Sequence, residues 1–416
     1  MERLIRGFQY RLCSGVPRER MPMTRICVFA LILFLCGNLP IASPAVSCST
    51  FMLSSDDCLV VGHNLDEAFL TPGIIHVNRR SERKRSVSRF DLKLTDVETP
   101  VLEWTSKYGS VTFSLLGRNL PDGGMNEVGL TVSEMGLGES VFLFNDSRPT
   151  MLSHLWIQYQ LDNYATVDEV VAHLEDINIE PSSTFTPPAS SNYHLFVTDS
   201  QGNVAIIEWF NDGPQVYMNS SVPVPALCNL PYQRELEKLE TYRGILGWIN
   251  RFLDSDKDIR FVKCAEALEE FKTSTVGDPV EYCFDVLTRL QFEWTKQWSV
   301  VYDVKSKRVY FRTARGPSVR YFDFDALDFS AEAPPVVFED IDVNLSGDIS
   351  DRFIAFSPDA DHSVIDRFLR SLVRFVSKSE DPEKMDLHML ENYGFDVARY
   401  VDRALETTEL IRYRKE

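Results

Sequence analysis

Two apolar runs, CSTFMLS at 48–54 and CLVVGHNLD at 58–66, flank Asp56 and Asp57 and read as a β-hairpin whose first strand begins at Cys48. A residue at that position therefore sits inside a sheet. Further strands are expected at 111–116, 129–135, 194–198, 204–209, 299–304 and 309–312, most of them short, apolar and alternating. That pattern fits sheets covered on one face. Helical periodicity marks 150–161, 232–250, 258–272 and 280–290, and Thr166 with Glu169 forms a capping box that opens a helix over 166–174.

What precedes Cys48 is of a different kind. Ile26 to Cys36 is an apolar run of eleven residues behind Arg18, Arg20 and Arg25. It is too short to cross a hydrocarbon core of roughly 30 Å and reads as the centre of a signal peptide over 1–47. Ala45 and Ser47 stand three and one residues before Cys48, the small residues that a signal peptidase requires. Cleavage there exports the protein and leaves Cys48 first. The same AVSC tetrapeptide is similar to a lipobox, in which the sulfur is acylated, and a translation start at Met21 or Met23 is a second alternative.

With 416 residues the chain exceeds what one core usually organises, so one large domain over 48–315 with an extension over 316–416 is expected. Acidic stretches and two amphipathic helices, at 362–378 and 396–411, set the extension apart. The net charge is −18; residues 1–47 carry six arginines against two acids, a local +4, so a chain beginning at Cys48 carries −22. Such a surface repels phosphate backbones and argues against nucleic acid as a partner. No metal-ligand spacing or phosphate loop occurs, so no cofactor is expected. Five of the eight cysteines, Cys48, Cys58, Cys228, Cys264 and Cys283, lie beyond residue 47. An odd number leaves at least one thiol unpaired within the chain.

A cysteine at a chain's own N-terminus carries its own base, because its α-amino group, with a reference pKa of about 7.7 to 8.0, can take the thiol proton. CSTF at 48–51, GHNLDE at 62–67, DGGMNEVGL at 122–130, LWIQYQLDNYATVDEV at 155–170, ALCNLPY at 226–232 and IRF at 259–261 occur in order. Together they resemble the choloylglycine hydrolase family, and especially its linear amide C-N hydrolase branch. The resemblance implies an α+β fold, a four-layer αββα sandwich of the N-terminal nucleophile hydrolase kind, and cleavage of a small N-acyl amide through an acyl-enzyme. It assigns the nucleophile to Cys48 and a hold on the free amine to Asp66. It gives oxyanion contacts to Asn126 and Asn229, and charge support around the nucleophile to Arg260.

One position departs from the family pattern. His63 stands where bile salt hydrolases carry an arginine, so it becomes a candidate for a changed substrate polarity. Homo-oligomers are common in the family. An acyltransferase on the same fold, using an amine in place of water, and a lipid-anchored binding protein without catalysis are the competing functions.

Overall fold

In the computed structural model the described residues are 48–377, apart from 68–69, 87–95, 97, 99, 116, 118–120, 143–147, 181–191, 244–246, 248, 251–258, 275 and 292–297. Among them two sheets stack face to face. The first holds β1 (Ser49–Ser54), β2 (Leu59–Leu65), β14 (Ala226–Leu227), β15 (Trp298–Asp303), β16 (Arg308–Thr313), β17 (Arg320–Asp323) and β19 (Gly347–Asp348). Their spatial order is β14-β1-β2-β15-β16-β17-β19. The second holds β3 (Ile74–Asn78), β6 (Ser110–Ser114), β7 (Pro121–Asn126), β8 (Thr131–Gly136), β11 (Tyr193–Thr198), β12 (Val204–Phe210), β13 (Gly213–Met218), β18 (Val336–Phe338) and β20 (Ile354–Ala355). Its order is β13-β12-β11-β8-β7-β6-β3-β18-β20. Two small pairs, β4 (Arg83–Arg85) with β5 (Glu103–Thr105) and β9 (Thr150–Leu152) with β10 (Asn178–Glu180), lie outside these sheets.

Helices cover both outer faces, which makes the αββα sandwich. On the second sheet lies α1 (Trp156–Asn163), packed on β7 and β8 and followed by α2 (Val167–Ala172). The Thr166–Glu169 capping box that opens α2 forms as read from the sequence. The first sheet is covered by α4 (Arg260–Thr273) and α5 (Pro279–Leu290), with α3 (Tyr232–Arg243) against α4. Asp278 caps α5 by accepting from the N–H groups of Val280 and Glu281, with Pro279 already set in helical φ.

The hairpin β1–β2 runs through the middle of this arrangement, pairing Thr50 with His63 and Phe51 with Gly62. Both strands are buried on both faces because α4 and α5 lie on one side and the second sheet on the other. Gly62 is what lets α5 approach: a Cβ there would lie 2.5 Å from Cys283 Sγ and 3.0 Å from the Phe51 ring.

Three local expectations change. Residues 150–152 form β9, drawn by parallel pairing with β10, so the helix expected from residue 150 begins at Trp156. Residues 121–126, absent from the expected strands, form the central strand β7, whose glycines accept close neighbours on both sides. Beyond residue 315 the chain does not simply add helices: β17 and β19 continue the first sheet past β16, and β18 and β20 continue the second past β3. These strands are two to four residues long, too short to show a period in the sequence. The helix expected at 362–378 forms as α6 (Pro358–Ser377), while residues 1–47 and the helix expected at 396–411 lie outside the described residues. All five cysteines from Cys48 onward are unbridged.

Candidate active site

Cys48 immediately precedes β1 and is buried, 2% exposed. Alternation along the strand puts Cys48 on the face of Thr50, which looks at the second sheet and touches the sulfur of Met135 on β8. Asp66 follows directly on β2, the partner strand, so the hairpin register brings the two residues together. Burial pushes the Cys48 thiol well up, and the charges of Asp122 and Glu67 add to this. The backbone N–H of Asp66 hydrogen-bonds the sulfur and pulls the other way.

The Asp66 side chain is fully buried, and neither carboxylate oxygen has a hydrogen-bond partner among the described residues. Burial raises its pKa from 3.8 to about 7, although the positive charge of Arg260 opposes the shift. An ionised carboxylate without partners in such a place is costly. It becomes favourable if a cation is set against it.

Arg260 opens α4 and is itself buried. Its Nη1 donates to the Cys48 carbonyl at 2.5 Å and to Ser49 Oγ at 3.1 Å, while Nη2 donates to Asn229 Oδ1 at 2.9 Å. Asn229 Nδ2 in turn donates to the carbonyl of Gly136, the last residue of β8, at 2.7 Å. The planar guanidinium thus fixes the amide plane of Asn229 relative to Cys48. A primary amide has a second N–H, which can serve a developing oxyanion.

His63 is buried on β2. Its Nε2 lies 2.8 Å from Asp122 Oδ2 and its Nδ1 2.7 Å from Thr50 Oγ1. Asp122 reaches it because the register between β6 and β7 slips there: Ser114 pairs with Pro121 and Phe113 with Gly123, leaving Asp122 as the extra residue of a β-bulge. The bulge turns its carboxylate into the space between the sheets. Thus the family's arginine position is occupied by a histidine already engaged with a carboxylate of the opposite sheet.

The structure brings Cys48, Asp66, Asn229 and Arg260 together, with His63 two strand positions from the cysteine. Asn126 is elsewhere. It ends β7, where Oδ1 accepts from the N–H groups of Val128 and Leu130, and Nδ2 donates to the carbonyls of Leu161 and Tyr164. Every polar valence is spent on the turn into β8 and the end of α1. The length of β8, about 17 Å for strand geometry, separates that turn from Gly136 beside Asn229. Asp122, Ser49 and Gly136 also belong to the site; Ser49 and Asp122 stand in quoted motifs, but nothing in the letters assigns any of the three a place there, since strand register and a bulge deliver them.

Comparison with known proteins bears on the family and the fold. The family model of linear amide C-N hydrolases, choloylglycine hydrolase family, matches residues 48–258. A penicillin V acylase of Pectobacterium atrosepticum is 26% identical over 279 residues, covering 59% of this chain and 74% of that protein. The structure of penicillin V acylase from Agrobacterium tumefaciens superimposes with a TM-score of 0.61 at 22% identity, covering 75% of this chain and 98% of that one. A mutant of the conjugated bile acid hydrolase from Clostridium perfringens gives a TM-score of 0.58 at 16% identity, over 73% of this chain and 98% of that one. These structural likenesses concern the fold.

Proposed function

Because the chain belongs to the linear amide C-N hydrolases of the choloylglycine hydrolase family, we propose that Cys48, freed as the first residue of an exported chain, is the nucleophile that cleaves a small N-acyl amide. The observation that carries this reading is the buried Asp66 carboxyl beside Cys48, without a hydrogen-bond partner among the described residues. A new α-ammonium at residue 48 would supply the cation it needs, and would fix that amine next to the thiol.

The reaction then runs in two halves. The amine of Cys48 takes the thiol proton, and the thiolate attacks the carbonyl carbon. The oxygen becomes an oxyanion in reach of the Asn229 amide, whose plane Arg260 holds. When the C–N bond breaks, the leaving nitrogen receives the proton and departs as the amine, leaving a thioester. Water gives a proton to the α-amine as it attacks, and the collapsing intermediate releases the acid and restores the thiol. No proton enters or leaves the balance beyond those of the water consumed.

The names of the relatives, a penicillin V acylase and a conjugated bile acid hydrolase, point to substrates whose acyl group is joined to a second moiety by one amide. His63, bound to Asp122, lacks the guanidinium fork of an arginine for such a substrate. The test is turnover of penicillin V and a panel of N-acyl amino acids by a chain starting at Cys48. Hydrolysis that persists in Cys48→Ala, or that proceeds equally with Ser47 retained, overturns the assignment. New amides formed on adding acceptor amines would move the assignment to acyl transfer.

A further inference from the structure

Behind Asn229, the inner face of the second sheet carries a histidine and a glutamate, each 0% exposed: His194 on β11 and Glu208 on β12. Their strand neighbours on that face, Phe196 and Ile206, belong to the apolar core between the sheets. His194 Nε2 lies 2.7 Å from the Cys228 carbonyl, and Nδ1 lies 2.8 Å from Glu208 Oε1. A carbonyl only accepts, so Nε2 carries a hydrogen. The same Glu208 oxygen accepts the backbone N–H of Tyr232 at 2.9 Å.

The two side chains therefore grip one short segment at both ends, by the carbonyl of Cys228 and the N–H of Tyr232. Asn229 lies between the grips. Its side chain is held from the other direction by Gly136 and Arg260. Gly136 itself pairs with Tyr193, the residue before His194, so β11 supports both walls of the site.

Stability does not account for such a pair. Replacing both partners of a buried hydrogen-bonded pair by apolar groups of the same shape can be nearly neutral or stabilising, because desolvation offsets the attraction. What an apolar pair lacks is direction: it has no hydrogen to aim at a carbonyl and no acceptor for a helix N–H.

We propose that His194 and Glu208 are positioning residues for amide cleavage, setting the backbone of 228–232 so that the Asn229 amide points at the oxyanion formed on Cys48. The inference rests on the reading of Cys48 and Asn229 given above. It predicts a split between two reactions of the same thiol. Acylation by p-nitrophenyl phenoxyacetate passes through an oxyanion, whereas alkylation by iodoacetamide is a direct displacement at carbon and forms none.

In the chain beginning at Cys48, His194→Phe should slow acylation of Cys48 by about 10- to 100-fold and leave its alkylation rate within about twofold. His194→Gln, which keeps a donor for the Cys228 carbonyl, should recover most of the acylation rate. Should the Phe variant not fold, Glu208→Gln carries the same comparison, since it replaces the carboxyl partner of His194 by an amide at constant shape. An unchanged acylation rate, or acylation and alkylation falling together, overturns the proposal. If the native chain takes up the phenoxyacetyl group at a residue other than Cys48, the reading of the nucleophile itself has failed.

Discussion

Arg260 Nη2 donates to Asn229 Oδ1 at 2.9 Å while the neighbouring Nη1 reaches the Cys48 carbonyl, so one rigid side chain from α4 sets the spacing between the candidate nucleophile and the candidate oxyanion donor. A lysine could satisfy one of these acceptors but not both in fixed geometry. Arg260→Lys is therefore expected to lower kcat by about 10- to 100-fold with a smaller change in KM. Steady-state kinetics on the native substrate read this directly, and a purely raised KM would contradict it.

The Asp66 carboxyl gives a pH signature. Burial lifts its pKa from 3.8 to about 7, so the folded chain keeps a proton that the unfolded chain loses. Between those values the folded state binds more protons, and stability falls as pH rises. At about 1.4 kcal/mol per pH unit the full penalty is about 4 kcal/mol, reached near neutrality and constant above it. Urea unfolding of a chain that retains residues ahead of Cys48 should show this decline, and Asp66→Asn should abolish it. A chain starting at Cys48, whose ammonium can meet the ionised carboxylate, should decline less. Identical pH slopes in all three would refute the pairing.

Asp122 raises the Cys48 thiol through its negative charge, second only to burial. Removing that charge must favour the thiolate, so in Asp122→Asn the pH midpoint of Cys48 alkylation by iodoacetamide moves downward. His63→Leu acts differently, since it leaves the Asp122 carboxylate without its 2.8 Å partner in a buried place. A loss of about 3 to 5 kcal/mol is expected by denaturant titration if the carboxylate stays ionised.

Asn126 separates a structural from a chemical role. Its four hydrogen bonds all serve the β7–β8 turn and the end of α1. Asn126→Ala should cost about 2 to 4 kcal/mol of stability by orphaning buried backbone groups, while kcat of the folded fraction stays near native. A collapse of kcat in a folded variant would return Asn126 to the chemistry.

The part of the site that the sequence reveals is the part made by local order. The hairpin that brings Asp66 to Cys48 spans fewer than twenty residues, and its alternation and Asp-Asp turn are plain in the letters. Asn229 and Arg260 are reached through motifs in a shared order. Asp122 stands in a quoted motif but its role is not legible there, and the roles of His194 and Glu208 are not reached at all: the first depends on a bulge between β6 and β7, the others on contacts between β11, β12 and a loop up to 34 residues away. Long-range register of this kind has no periodic trace in one chain. The same limit explains β7, where a Gly-Gly pair suggests a turn until two flanking strands claim it.

The four short strands after residue 315 have a further meaning for anyone shortening this protein. A chain ending there would leave β16 and β3 as bare borders, each offering a row of unmatched backbone donors and acceptors to whatever strand it met. Such a truncation, drawn at the domain boundary expected from the sequence, should self-associate into insoluble material rather than yield a smaller working hydrolase.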